Sequence, residues 1–348
     1  MKVLHLAPLW FPVAHDSAGG RETLLASLVE AQQALGIDVT VLASGDSRVS
    51  AEVIPVLPRH LFAAMEAQEA AEATYYEQQQ LLLTLERAGD FDVIHSHAGW
   101  YAYSLSGVPK LGGRVLHTHH TPVWRDLEWF IRQHPDLLFT AVSEFIGRHF
   151  WQQGARHCSV IPNGIDVKTF PWSLRPQKQL VFVGRMERTK GPDLAIAAAA
   201  HAGLPLTLAG PIVDREYFKQ SIEPLLNEQI RYVGQVDRQR RNQLLCESMG
   251  AVLPFRGQEG LPMVTLEAMA CGTPVLALAN GPLPEIVEPG VTGYLAQTEA
   301  ELIQLVGKLA TIDRQLVRER VAARFDITVV AQQYLTLYRQ ILSSPPLP

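Results

Sequence analysis

The chain has 348 residues and 38.5 kDa, is 47% hydrophobic and 19% charged, and carries a net charge of −5 with a pI near 6.2. That length predicts two or three domains with cores that need no metal or disulfide staple. The acidic balance excludes a general nucleic-acid-binding surface, which needs a basic excess to neutralise phosphates.

The first apolar run, residues 3–10, is short and contains Pro8. It predicts a buried strand over 3–7, not a signal peptide, which needs a longer apolar stretch and a cleavage site. No stretch approaches the ~20 apolar residues of a membrane span. Residues 21–35 follow as an amphipathic helix stopped by Gly36, then a strand over 38–43. Residues 63–88, rich in Ala, Glu and Gln, predict a solvated helix. Further apolar runs predict strands at 93–95, 115–118 and 139–142. The pattern then restarts, with a strand at 158–162, an Asn163-Gly164 turn, a strand at 179–184 and a helix at 192–202. Strands at 206–210, 230–233, 251–254 and 274–277 continue it. Continuous apolar strands alternating with helices imply parallel sheets covered on both faces. The expected architecture is α/β, with two doubly wound domains over 1–165 and 166–330. A C-terminal helix and tail, 331–348, is expected to pack back on the first domain. Ligands of such sheets sit at the carboxyl ends of the strands, so the cleft between two such domains is the expected site. Residues 1–165 hold 11 Lys and Arg against 17 Asp and Glu, and the remainder 19 against 18. Anion-binding capacity is therefore expected in the second half. The cysteines, Cys158, Cys246 and Cys271, are too far apart for a disulfide framework or zinc spacing, which fits a reducing cytoplasm.

The strongest motif is the pair Glu259 and Glu267, eight residues apart. The first stands in a loop with Gly260, Leu261 and Pro262; the second falls inside an apolar helix that Pro262 or Met263 can open. Backbone N–H groups at Met263 and Val264 would then present the positive end of a helix to an anion. A carboxylate at 267 among apolar neighbours needs a partner, and a sugar diol is one; helix capping plus a surface glutamate is the plainer alternative. Arg185 and Lys190 follow a strand end at Gly184 and suit a diphosphate, as a forked donor and a point charge. Two exposed basic residues are the alternative there. The turn Gly19-Gly20 allows a ligand close to the backbone but is not a dinucleotide fingerprint. His95 and His97 end one strand, and His117, His119 and His120 end another. Alternation points His117 and His119 one way and His120 the other. Substrate contact, structural burial and a metal site are all open there, though no carboxylate lies within the two clusters. Asp90-Phe91-Asp92 more simply caps a turn than binds a metal.

Together these residues resemble the retaining glycosyltransferases of family 4, whose GT-B fold has two facing Rossmann-like domains. The resemblance runs through the Gly-Gly loop, Ser143, Pro162-Asn163-Gly164-Ile165-Asp166, Gly184-Arg185 with Lys190-Gly191, Gly234, the Glu259–Glu267 segment, Pro284-Glu285-Ile286-Val287 and Thr292-Gly293. It implies that Arg185 and Lys190 bind a donor diphosphate and that Glu267 holds the ribose. Glu259 would contact the transferred sugar, with backbone from Leu261 to Val264. Val236 would meet the base, Gly20 the phosphate, and His120 or its neighbour His119 the reacting sugar. His97, His119 and Trp124 are the expected acceptor-side residues. It further implies a metal-independent, cofactor-free transfer of a hexose from UDP-glucose, GDP-mannose or a similar donor. Many members have Glu-Gly-Phe-Gly where this chain has Glu259-Gly260-Leu261-Pro262, which removes the N–H at 262. A cytoplasmic enzyme with a soluble acceptor is expected, without membrane association; oligomeric state is left open. An epimerase or phosphorylase of the same fold, a histidine-metal hydrolase and a non-catalytic nucleotide-sugar binder are the alternatives.

Overall fold

The computed structural model describes residues 1–111 and 113–343. The chain divides into two compact units, Met1–Ile165 together with the chain from Ile327 onward, and Asp166–Asp326.

The first unit holds seven parallel strands: β1 (Lys2–Leu6), β2 (Asp38–Ser44), β3 (Glu52–Leu57), β4 (Val93–Ser96), β5 (Val115–His119), β6 (Leu138–Ala141) and β7 (His157–Val160), in the order β3-β2-β1-β4-β5-β6-β7. The central strands are buried on both faces, which is why they read as unbroken apolar runs. The edge strand β3 escaped the sequence reading because it contains Pro55; an edge tolerates the missing N–H. The last helix, Ile327–Ser343, begins ahead of residue 331 and shares a core with the Gly20–Ala34 helix. Its Tyr334 and Tyr338 are buried against His95 of β4.

The continuous helix expected over 63–88 is two helices, Leu61–Glu66 and Ala73–Arg87. The first ends in a Schellman turn, in which Glu69 N donates to Ala64 O and Gln68 N to Met65 O, with Gln68 left-handed at φ 58°. A glutamine in place of the usual glycine hid that stop. The second is not wholly solvated: Gln80 and Thr84 are fully buried, and Gln80 Nε2 donates to Ala7 O and Leu42 O at the sheet's edge of β1 and β2.

The second unit holds six parallel strands: β8 (Gln177–Val183), β9 (Leu206–Ala209), β10 (Ile230–Tyr232), β11 (Ser248–Leu253), β12 (Val275–Leu278) and β13 (Gly293–Ala296), in the order β10-β9-β8-β11-β12-β13. Both sheets are flanked by helices and reverse direction beside a central strand, as Rossmann-like domains do. The buried Arg314 donates to the carbonyls of Ser173, Cys246, Ser248 and Cys271 and to Thr273 Oγ1, so its charge is fully solvated by backbone. Among the described residues no helix is long and apolar enough to cross a membrane.

Candidate functional site

In the second unit the chemistry gathers at the carboxyl ends of β8, β9 and β11. Gly184 N donates to Ala209 O at 3.0 Å, and Gly210 has φ +140° with its Cα against the Gly184 carbonyl, a contact only glycine permits. The next turn, Arg188–Lys190, ends in left-handed Gly191, where a side chain would strike Pro254 O at 2.5 Å. The turn therefore packs on the end of β11 and carries Lys190 across to Glu259. Their Nζ–Oε1 distance is 2.5 Å, and Nζ lies 4.8 Å above the Phe255 ring. Arg185 projects from the end of β8 with a half-exposed side chain, 2.8 Å from Glu187 Oε1.

The helix that follows the Glu259 loop is Met263–Ala270, with Pro262 at its N-cap and no side chain capping its first turn. Pro262 has no N–H and no side-chain oxygen, so no side chain caps the first turn, in which Thr265 N donates to Pro262 O at 3.0 Å. Glu267 is buried one turn in, and its partner in the protein is Arg241, whose Nη2 donates to Oε1 at 2.8 Å. The sequence reading left that partner to a sugar. Arg241 lies on the Arg238–Glu247 helix in a run of basic residues, and nothing in the run marks which one turns inward. Its Nε is buried with no protein partner among the described residues. Val236, half-buried, sits just ahead of that helix, whose N-cap Asp237 accepts from Arg240 N; Gly234 before it is left-handed at φ 78°. Arg256 was also missed. Its guanidinium bonds both Asp193 oxygens and Glu299, while Arg256 N and Gly257 N donate to Thr189 O. It fixes the Lys190 turn from behind and holds the Asp193 carboxyl below its usual range, against the opposing effect of burial.

In the first unit β1, β4 and β5 lie side by side, so the histidines come together as paired strand ends: His5 is in register with His95, and Ser96 with His117. His117 and His119 share one face, against Tyr103, Phe139 and Phe150. His120 turns the other way, with its Nε2 3.2 Å from His97 Nδ1 and its Nδ1 3.1 Å from Asn163 Oδ1. His97 and His119 are buried, and both ring nitrogens of each are engaged within the protein. Trp124 is 62% exposed at the start of the Arg125–Gln133 helix. Burial pushes His5 and His119 down to about 4, and His117 and His120 to about 3; His95 and His97 also fall well below the ordinary value. The nearby Arg21 charge lowers His97, His119 and His120 further.

His5, His95 and His97 bring three ligand atoms within 4.8 Å of one another. All six of their ring nitrogens already have hydrogen-bond partners, so an ion there would displace existing bonds. Asp90 pairs with the Arg87 side chain and Asp92 accepts from Lys2 N at the start of β1, so neither bond is the turn cap that the sequence suggested. At the glycine turn a side chain at Gly19 would meet the buried Glu22 carboxyl, which would have to move aside. Gly20 is exposed and faces open space.

The family model for Glycosyltransferase Family 4 matches residues 18–169, and that for Glycosyl transferases group 1 matches residues 169–318. This chain belongs to the family 4 glycosyltransferases. It is 30% identical over 271 residues to a glycogen synthase of Mycobacterium tuberculosis, a match covering 70% of this chain and 61% of the synthase; it thus spans about three fifths of that relative's length. It is 26% identical over 375 residues to the phosphatidyl-myo-inositol mannosyltransferase of Mycobacterium leprae, covering 96% of each. Among solved structures, Anabaena HepE in complex with UDP and glucose superposes with a TM-score of 0.74 at 19% identity, over 98% of this chain and 100% of that one. The glycosyltransferase fold is GT-B, with its two Rossmann-like domains.

Proposed function

We propose that the protein is a retaining, metal-independent glycosyltransferase that moves a hexose from a nucleoside-diphosphate sugar to a hydroxyl of a soluble acceptor. The observation that carries this reading is the Lys190–Glu259 pair, 2.5 Å apart in the segment that leads into the uncapped Met263–Ala270 helix. Lys190, Arg185 and the helix start together supply positive potential where a departing diphosphate gains charge, the task a divalent ion performs elsewhere. The HepE complex with UDP and glucose supports a donor of this kind. Glu267, steadied by Arg241, takes the ribose, and Val236 lies beside the base. Glu259 takes sugar hydroxyls, with backbone from Gly260 to Val264. Pro262 donates nothing, so discrimination of the sugar falls on Glu259 and the other amides. In the first unit Gly20 is assigned to the phosphate and His120 to the transferred sugar. Trp124, exposed where His97 and His119 are buried, is assigned to the acceptor. No carboxylate nucleophile is invoked: the acceptor hydroxyl attacks the anomeric carbon as the bond to the diphosphate breaks, on the same face, and its proton passes to the departing phosphate oxygen.

Turnover of UDP-glucose and GDP-mannose in EDTA, with soluble sugars and polyols set against phosphatidylinositol liposomes, tests this. Transfer to a soluble acceptor is expected to continue in EDTA. Transfer to the liposomes alone, or loss of activity rescued by Mg²⁺, Mn²⁺ or Zn²⁺, would refute the corresponding part of the reading. The two glutamates are expected to separate in calorimetric binding. Glu267→Ala weakens free nucleoside diphosphate by about tenfold or more, the worth of one lost charge-assisted bond; Glu259→Ala leaves that affinity within about twofold and lowers transfer. Equal loss of nucleotide affinity in both would show that the roles are misassigned.

A further inference from the structure

Four hydrogen bonds run end to end through the interior of the first unit. Gln32 Oε1 lies 2.7 Å from His5 Nε2, His5 Nδ1 3.1 Å from His97 Nε2, His97 Nδ1 3.2 Å from His120 Nε2, and His120 Nδ1 3.1 Å from the Asn163 side chain. A neutral imidazole has one N–H and one bare nitrogen, and an amide oxygen only accepts. Burial keeps the three rings neutral near pH 7. The Gln32 oxygen therefore requires the His5 proton on Nε2. That leaves His5 Nδ1 bare, which requires the His97 proton on Nε2, and the same step places the His120 proton on Nε2. His120 Nδ1 is then an acceptor, served by the NH2 end of the Asn163 amide after a half-turn of that group.

The Gln32 amide is also bonded at its other end. Gln32 Nε2 donates to Tyr338 Oη at 3.0 Å, and that hydroxyl lies 2.6 Å from His95 Nδ1, whose Nε2 lies 2.6 Å from Thr118 Oγ1. Turning the Gln32 amide over would reverse every link in both arms at once. All these side chains except His120 are buried, so no water stands by to replace a link. We propose that Gln32, which donates to Tyr338 of the last helix, is a positioning residue that sets which ring nitrogen of His120 carries its proton, acting through His5 and His97. The significance for catalysis rests on the assignment of His120 to the transferred sugar; the hydrogen-bond relay does not. In the Nε2–H form, His120 accepts from Asn163 at Nδ1 and donates from Nε2 to His97. The other tautomer would exchange donor and acceptor at that ring.

The test is the ring ¹⁵N chemical shifts of histidine-labelled protein, with the His120 signals identified by their loss in His120→Gln. The wild type is expected to show His120 with Nε2–H. Gln32→Met removes the partner of His5, so the Asn163 oxygen governs the chain from its far end and moves His120 to Nδ1–H. Should Gln32→Met fail to fold, Tyr338→Phe frees the Gln32 amide and is expected to populate both tautomers. An unchanged His120 tautomer in the folded variant overturns the proposal, as does stoichiometric zinc bound through His5 and His97. Turnover is read separately. A shifted tautomer with kcat lowered at least about tenfold supports both the relay and the site. A shifted tautomer with unchanged kcat upholds the relay and rejects His120's assignment to the sugar.

Discussion

Acid is expected to unfold the first unit well before the second. Eleven of the twelve histidines lie in residues 1–165, and six of them, the buried His5, His95, His97, His117 and His119 and the half-buried His120, lie on or just past β1, β4 and β5. In the unfolded chain each takes a proton near 6.5, whereas in the folded unit His5 and His119 do so only at about 4, and His117 and His120 at about 3. Below pH 6.5 the unfolded state therefore binds more protons than the folded one, and stability falls with pH. The stabilisation is complete above pH 6.5 and is lost progressively toward pH 4 and below. Each such histidine contributes a slope on the order of 1 kcal/mol per pH unit, so the group together costs several kcal/mol per unit, a large part of a domain's stability. Asp193 in the second unit, whose carboxyl is held down by Arg256, acts in the same direction but only at lower pH, below the ordinary carboxylate range. Urea midpoints at pH 7.5, 6.0 and 5.0, followed by probes in each unit, check this. A first-unit midpoint that does not move between pH 7.5 and 5.0 would mean that the histidines are not buried neutral.

The parallel strands were legible because burial on both faces leaves no polar interruption. β1, β2, β8 and β11 stand out as apolar runs ended by small or polar residues. What escaped were two of the four edge strands, β3 with its proline and the short β13, while the edges β7 and β10 were legible. Local chemistry also carried the start of the Met263–Ala270 helix, since Pro262 both admits and announces a first turn. The side-chain partners were a different matter. Glu267 is 26 residues from Arg241, Lys190 is 69 from Glu259, and Gln32 is 306 from Tyr338. Periodicity places a residue on a face, yet the choice among Arg238, Arg240 and Arg241 depends on how two helices pack. Likewise the histidine-rich strand ends were visible, but Gln32, which orders them, reads in sequence as an ordinary polar residue of a helix.

Replacing Lys190 is expected to lower kcat by about 10²–10³-fold, the loss found when one preorganised donor to a developing oxyanion is removed. Its surroundings explain why the effect is large. The side chain is 13% exposed, lies over the Phe255 ring and faces Glu259, so it acts where water screens little. The same surroundings offer a rival explanation, that Lys190 only neutralises Glu259 and the loss reflects an orphaned carboxylate. A double-mutant cycle separates the two. If neutralisation is all, Lys190→Ala with Glu259→Gln restores turnover toward that of Glu259→Gln alone. If Lys190 stabilises the departing diphosphate, the double variant stays at least as impaired as Lys190→Ala. The two changes then show a coupling of about 0.5–3 kcal/mol, because they share one ion pair. Arg185→Ala is the companion measurement. Its guanidinium is half-exposed and, among the described residues, pairs with Glu187, whose side chain is 16% exposed and also accepts from Thr189 Oγ1, so Glu187→Gln is the control that separates loss of the diphosphate contact from an orphaned carboxylate. Folded variants of both residues with wild-type turnover would remove the cationic donor site from this protein.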